Sequence, residues 1–117
     1  MCIRDSNEAA QRIVELAGDN FAKVFFTNGG ADAVENAIRM ARMHTHKHKI
    51  LSTYRSYHGN TGAAINATGD PRRFPNEFAY GHVHFWGPYL YRTAFWAKDE
   101  VEAVSYTHLT LPTIYSV

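Results

Sequence analysis

The sequence predicts an α/β fold in which mainly parallel strands are joined by crossover helices. Three observations carry that expectation. Short apolar runs alternate along the chain with stretches whose apolar residues recur at helical spacing, and strands separated by helices pair in parallel. The apolar run ending in Phe25-Phe26-Thr27 passes through Gly29-Gly30 directly into one such stretch, as a strand does when it enters a crossover helix. With 117 residues, 45% hydrophobic and 20% charged, the chain suits one small globular domain and is too apolar to be disordered.

Each element follows from local pattern. Residues 8–17 read as a helix with Ala9, Ile13, Leu16 and Ala17 on one face and Gly18 as its stop. Residues 23–27 read as a buried strand. Residues 30–44 are a helix: Val34, Ala37, Ile38 and Ala41 share a face, Asp32 and Glu35 sit early, and Arg39 and Arg42 sit late, as the helix dipole favours. A second strand is expected over 49–53 and a short helix over 60–67. Gly69-Asp70-Pro71 breaks any helix, so 68–75 is a loop with Arg72 and Arg73 solvated. A third strand covers 82–85 and ends at Gly87-Pro88, and a helix runs from Arg92 or Thr93 toward Val101.

The two ends differ from the middle. Residues 1–6 (MCIRDS) and 105–117 (SYTHLTLPTIYSV) resemble translated sequencing-adapter read-through, so the expected domain is residues 7–104, with both ends making few contacts to it. The alternative for the tail is a β-rich segment, since Thr, Leu, Ile and Tyr form strands, although LTLPT carries a strand-breaking proline.

Charge and composition argue against several functions. The net charge is +1, no apolar run approaches a membrane span, and the single cysteine, Cys2, excludes a disulfide framework, a pattern that suits a reducing cytoplasm. No acidic residue lies between Glu35 and Asp70, while Arg39, Arg42, Lys47, Lys49 and Arg55 do. A nucleic-acid surface is the alternative there, but these charges straddle a helix end, a loop and a strand start. His44, His46 and His48 would share one face of an extended segment. The intervening Thr45 and Lys47 and the lack of a nearby carboxylate favour a solvated loop over a metal site.

The positive signal lies around the Gly-Gly turn. First-turn amides of a helix lack partners within it and the dipole adds partial positive charge, so Gly30, Ala31 and Asp32 present donors to an anion such as a phosphate. Beyond the second strand, Ser56-Tyr57-His58-Gly59-Asn60-Thr61-Gly62 sets an aromatic and a histidine in a glycine-bounded turn. Together these segments resemble the pyridoxal-phosphate (PLP) dependent class III aminotransferases, whose pattern T-N-x-G-[SA]-[ED]-A is followed by [YF]-H-G. Thr27-Asn28-Gly29-Gly30-Ala31-Asp32-Ala33 matches the first and Tyr57-His58-Gly59 the second. Val34-Glu35-Asn36-Ala37 continues the first as 4-aminobutyrate-type members do. His84-Phe85-Trp86-Gly87-Pro88-Tyr89-Leu90-Tyr91-Arg92 resembles the taurine and ω-amino-acid branch, and the likeness extends over residues 7–103.

The resemblance implies a piece of the large domain of a fold-type I PLP transferase, with PLP as cofactor. It implies that the amides of Gly30 and Ala31 hold the phosphate, with Ala31 where many members have a serine hydroxyl, and that Tyr57 stacks on the pyridine ring. Tyr57 as a turn residue packed on the sheet edge is the alternative. His58 either borders the cofactor or holds the turn. The carboxylate for the ring nitrogen and the catalytic lysine belong to later family motifs; Lys23, Lys47, Lys49 and Lys98 match none of them, so no catalytic residue is assigned and the chain alone is expected to be inactive. The parent would be a homodimer moving an amino group from an amine or ω-amino acid to a 2-oxo acid. An aminomutase on the same fold, or a non-catalytic phosphate-binding module, remain the alternatives. The family topology implies that the second and third strands pair in parallel and that the first lacks its neighbour.

Overall fold

The structure is a computed structural model, which describes residues 3–76 and 80–114, with side chains through residue 109. In chain order it contains helix α1 (Ile3–Ala17), helix α2 (Gly30–Thr45), strand β1 (Ile50–Thr53), helix α3 (Gly62–Ala67), a 3-10 turn (Pro71–Asn76), strand β2 (His82–Phe85), a second 3-10 turn (Leu90–Arg92) and helix α4 (Glu100–Ile114).

The strands pair in parallel, as expected, in the register Ile50↔His82 to Thr53↔Phe85. Ile50 N donates to Gly81 O at 2.8 Å and Tyr54 N to Phe85 O at 2.9 Å, so the ladder extends past both strand ends. A parallel pair needs a crossover, and the segment containing α3 supplies it. Its sequence GAAINA is mostly small or apolar, and Ala64, Ile65, Asn66 and Ala67 are buried. Ala64, Ile65 and Ala67 form the core with Ile38 of α2 and Ala103 of α4. The buried polar groups there are satisfied locally: Asn66 Nδ2 donates to Gly62 O at 2.6 Å.

Three expectations are corrected. Residues 21–27 form no strand, and Phe25 and Phe26 are 64% and 47% exposed. A strand exists only where a neighbour takes its backbone groups, and β1 and β2 pair with each other alone among the described residues. Arg73 is not solvated. The first 3-10 turn carries it inward, where its Nη1 lies 2.7 Å from His84 Nδ1 and its guanidinium rests over the Tyr54 ring at 5.5 Å. Finally, no regular helix starts at Arg92 or Thr93, since α4 begins at Glu100. Asp99 Oδ1 accepts from Glu102 N and Glu102 Oε2 from Lys98 N, both at 2.8 Å; this D-x-x-E capping pair sets the start.

The described residues begin and end in helices. Residues 3–6 begin α1, which buries no residue and stops at Gly18, where φ is +85°. The tail expected to be adapter-like, or else β-rich, continues α4 to Ile114. Tyr106 stacks on Phe95 with ring centroids 5.5 Å apart, and Thr107 Oγ1 lies 3.2 Å from Trp86 O, whereas Leu109 is exposed. The side chains of residues 110–117 lie outside the described residues.

Candidate functional site

The Gly-Gly turn delivers an uncapped helix start. Gly29 is extended and offers no side chain to cap α2; the Thr27 hydroxyl donates to Gly29 O at 3.0 Å. The first amides of α2 therefore face outward with the positive end of a 16-residue helix behind them.

The aromatic turn after β1 is fastened from behind. Gly69 N donates to Ser56 O at 2.8 Å and Arg55 N to Gly69 O at 3.2 Å. The buried Thr68 hydroxyl accepts from His58 N at 3.1 Å and lies within donating distance of Gly59 O at 3.2 Å and Ala64 O at 3.0 Å. Gly59, at φ +124°, presses directly on α2: a Cβ there would stand 2.6 Å from Ala31 Cβ and 2.9 Å from Ala31 Cα. The backbone at this position must be glycine for both reasons.

Glu35 links the two halves. Its Oε1 accepts from Thr61 Oγ1 at 2.7 Å, Ala63 N at 2.6 Å and Ala64 N at 3.0 Å, so a carboxylate of α2 caps α3 across the fold. Burial pushes this carboxyl upward, but the Thr61 hydroxyl, the Ala64 and Ala63 amides and the nearby His82 outweigh it and leave Glu35 below the usual carboxylate range. His82 is itself pushed below the ordinary imidazole value by burial, then by Arg42 and His84, against the opposing pull of Glu35.

The result is one open hollow of about 470 Å³ whose walls include Gly30, Ala31, Val34, Tyr57, His58 and Gly59. All four predicted site residues, Gly30, Ala31, Tyr57 and His58, meet there. Tyr57 is half exposed, and the Arg72 guanidinium lies over its ring, 4.1 Å from the centroid. His58 is among the residues that line the hollow, and its amide holds the turn. None of Lys23, Lys47, Lys49 and Lys98 lines this hollow. A larger hollow, about 520 Å³, lies at the carboxyl ends of both strands between Arg55, Trp86 and Tyr89, and no residue of α2 is among its walls.

Glu35, Thr68 and Arg72 escaped the sequence reading. Glu35 was visible as an acid near a helix start and as part of the family motif, but its partners lie 26 or more positions away. His44, His46 and His48 do not share an extended face, because α2 runs to Thr45 and His46 is its left-handed cap. Among the described residues no cluster of His, Cys, Asp or Glu is arranged to hold a metal, and no helix is long and apolar enough to cross a membrane.

Known proteins share this fold. A family model described as aminotransferase class-III matches residues 2–102. A probable 4-aminobutyrate aminotransferase of Bacillus subtilis is 33% identical over 89 residues, which are 75% of this chain and 19% of that protein. The taurine:2-oxoglutarate aminotransferase of Bifidobacterium kashiwanohense, solved with PLP and glutamate, superposes with a TM-score of 0.81 at 43% identity, covering 92% of this chain and 25% of that one. The omega transaminase of Pseudomonas jessenii, solved with PMP, gives a TM-score of 0.86 at 28% identity over 97% of this chain and 27% of its own. The chain thus spans about a fifth to a quarter of these relatives and carries the fold of that part of them.

Proposed function

The chain belongs to the class-III aminotransferase family, and from that premise we propose that it is the part of the large domain that seats the phosphate and one ring face of PLP. The whole protein is then a cytoplasmic homodimer that moves an amino group from an amine or ω-amino acid to a 2-oxo acid. The observation that carries this reading is the meeting of the α2 start and Tyr57 at one hollow, since phosphate and pyridine belong to one rigid small molecule.

The residues present fit the group. Nothing lies within 4 Å of where a Cβ on Gly29 or Gly30 would stand, so the backbone is open to close approach by a phosphate. The Gly30 and Ala31 amides donate to its oxygens, Ala31 adding no hydroxyl. Tyr57 offers a flat face, and His58 borders the opening. When bound, PLP supplies the electron sink for bond breaking at the carbon that bears the amino group. This chain's residues hold and orient it. Covalent attachment is assigned to none of its lysines.

The test is titration of the 117-residue chain with PLP. Binding should be weak, Tyr57→Ala should weaken it about threefold to tenfold through loss of the stacked ring, and no transamination should be detected. Borohydride reduction and mass spectrometry should find no stoichiometric pyridoxyl group. Stoichiometric labelling of one lysine, or a Tyr57→Ala variant that binds PLP as the parent does, would overturn the reading.

A further inference from the structure

We infer that Asp70 and Arg72 form a positioning pair for Tyr57, in which the Arg72 guanidinium covers one face of the phenol ring and leaves the other as the single face on which a flat cofactor can stack. The inference rests on the reading of Tyr57 as a ring support given above.

The geometry is specific. Arg72 Cζ lies 4.1 Å from the Tyr57 centroid, well inside the roughly 6 Å at which a cation is attracted to a ring face. Its guanidinium is held in turn by the carboxylate of Asp70: Nε lies 3.0 Å from Oδ1 and 2.9 Å from Oδ2, and Nη2 also bonds Oδ2. Such a fork fixes orientation as well as distance. The Arg72 amide donates to the same Oδ1 at 2.9 Å, which ties the side-chain pair to the backbone. These bonds hold the Asp70 carboxyl below its ordinary value and raise the Arg72 guanidinium above its own.

The pair is also tied to the turn that it serves. Asp70 follows Gly69, whose amide and carbonyl bond Ser56 and Arg55, so Tyr57 and its cover are carried by two backbone segments bonded to each other. Tyr57 lines the hollow with Gly30 and Ala31, and Arg72 is not among its walls. An exposed ion pair by itself contributes little. Its position against this ring is what gives it a role.

The probe is PLP with the full chain, followed by the 31P signal of the phosphate and the ring-current shift of the pyridine H6 proton. Ligand-free chain labelled with 3-fluorotyrosine gives a second readout, the Tyr57 resonance being assigned with Tyr57→Phe. Arg72→Met should move the Tyr57 19F signal and cut the pyridine shift at least threefold while leaving the 31P response in place. Arg72→Lys, which keeps the charge and loses the fork, should restore part of the shift, and Asp70→Asn should lose about half. An unchanged 19F signal in Arg72→Met overturns the positioning role whatever PLP does. A changed 19F signal with no pyridine shift in the parent chain upholds the pair and overturns the cofactor reading of Tyr57.

Discussion

Gly69→Ala should leave this chain without a stable fold. The new methyl carbon would stand 2.1 Å from Thr53 O, 2.7 Å from Tyr54 Cα and 2.9 Å from Thr53 C, and all three are backbone atoms that cannot swing away. Moving the segments apart breaks the bonds from Gly69 N to Ser56 O and from Arg55 N to Gly69 O, and lifts the end of α3 from β1. The cost is on the order of 3–5 kcal/mol, a large part of the roughly 5–15 kcal/mol that holds an ordinary domain. The chain has little in reserve, since the buried apolar residues among those described are Ile38, Ala64, Ile65, Ala67 and Ala103. Urea unfolding followed by far-UV circular dichroism checks this. A midpoint within about 0.5 M of the parent would show that the two segments do not touch as described. Gly30→Ala is the control, because a methyl there meets nothing within 4 Å and stability should be kept.

Glu35→Ala should destabilise the chain by about 2–3 kcal/mol, because it leaves two α3 amides and the Thr61 hydroxyl without their charged acceptor. Glu35→Gln, which retains an acceptor, should lose less. The pH dependence separates charge from packing. Glu35 titrates lower in the fold than its unfolded value of about 4.3. Its contribution is therefore complete above that value and is lost as pH falls through the folded one. His82, also lowered, adds an earlier loss that starts as pH falls below about 6.5, where the unfolded chain takes up a proton that the fold resists. Stability of the parent should fall in two stages on acidification, and Glu35→Gln should remove the lower stage. A variant that keeps the full acid loss below pH 4 would show that Glu35 is not the group responsible.

Local pattern was enough for the parts whose causes are local. The face of Val34, Ala37, Ile38 and Ala41 set α2, the β-branched and apolar residues near 50–53 and 82–85 set the two strands, and the intervening helix made them parallel. The same stretch of sequence also named Gly30, Ala31, Tyr57 and His58, which the fold gathers at one hollow although 27 positions separate Gly30 from Tyr57. Where the reading failed, the deciding partner was distant. Residues 23–27 have a strand's composition, but no neighbour among the described residues takes their amides and carbonyls. Arg73 has the composition of a solvated loop, yet His84 and the Tyr54 ring receive it.

Amphipathic period and turn glycines are properties of a few adjacent positions, so the sequence by itself determined α1 to α3 and the two paired strands, and its family motifs named four residues that meet at one hollow. Tertiary structure alone decided that Glu35 caps α3, that Gly59 and Gly69 must lack a Cβ, and that Arg72 covers Tyr57. Each of these depends on the distance between atoms on different elements, and such distances are set only when the core closes and the backbone of one segment comes to rest against another.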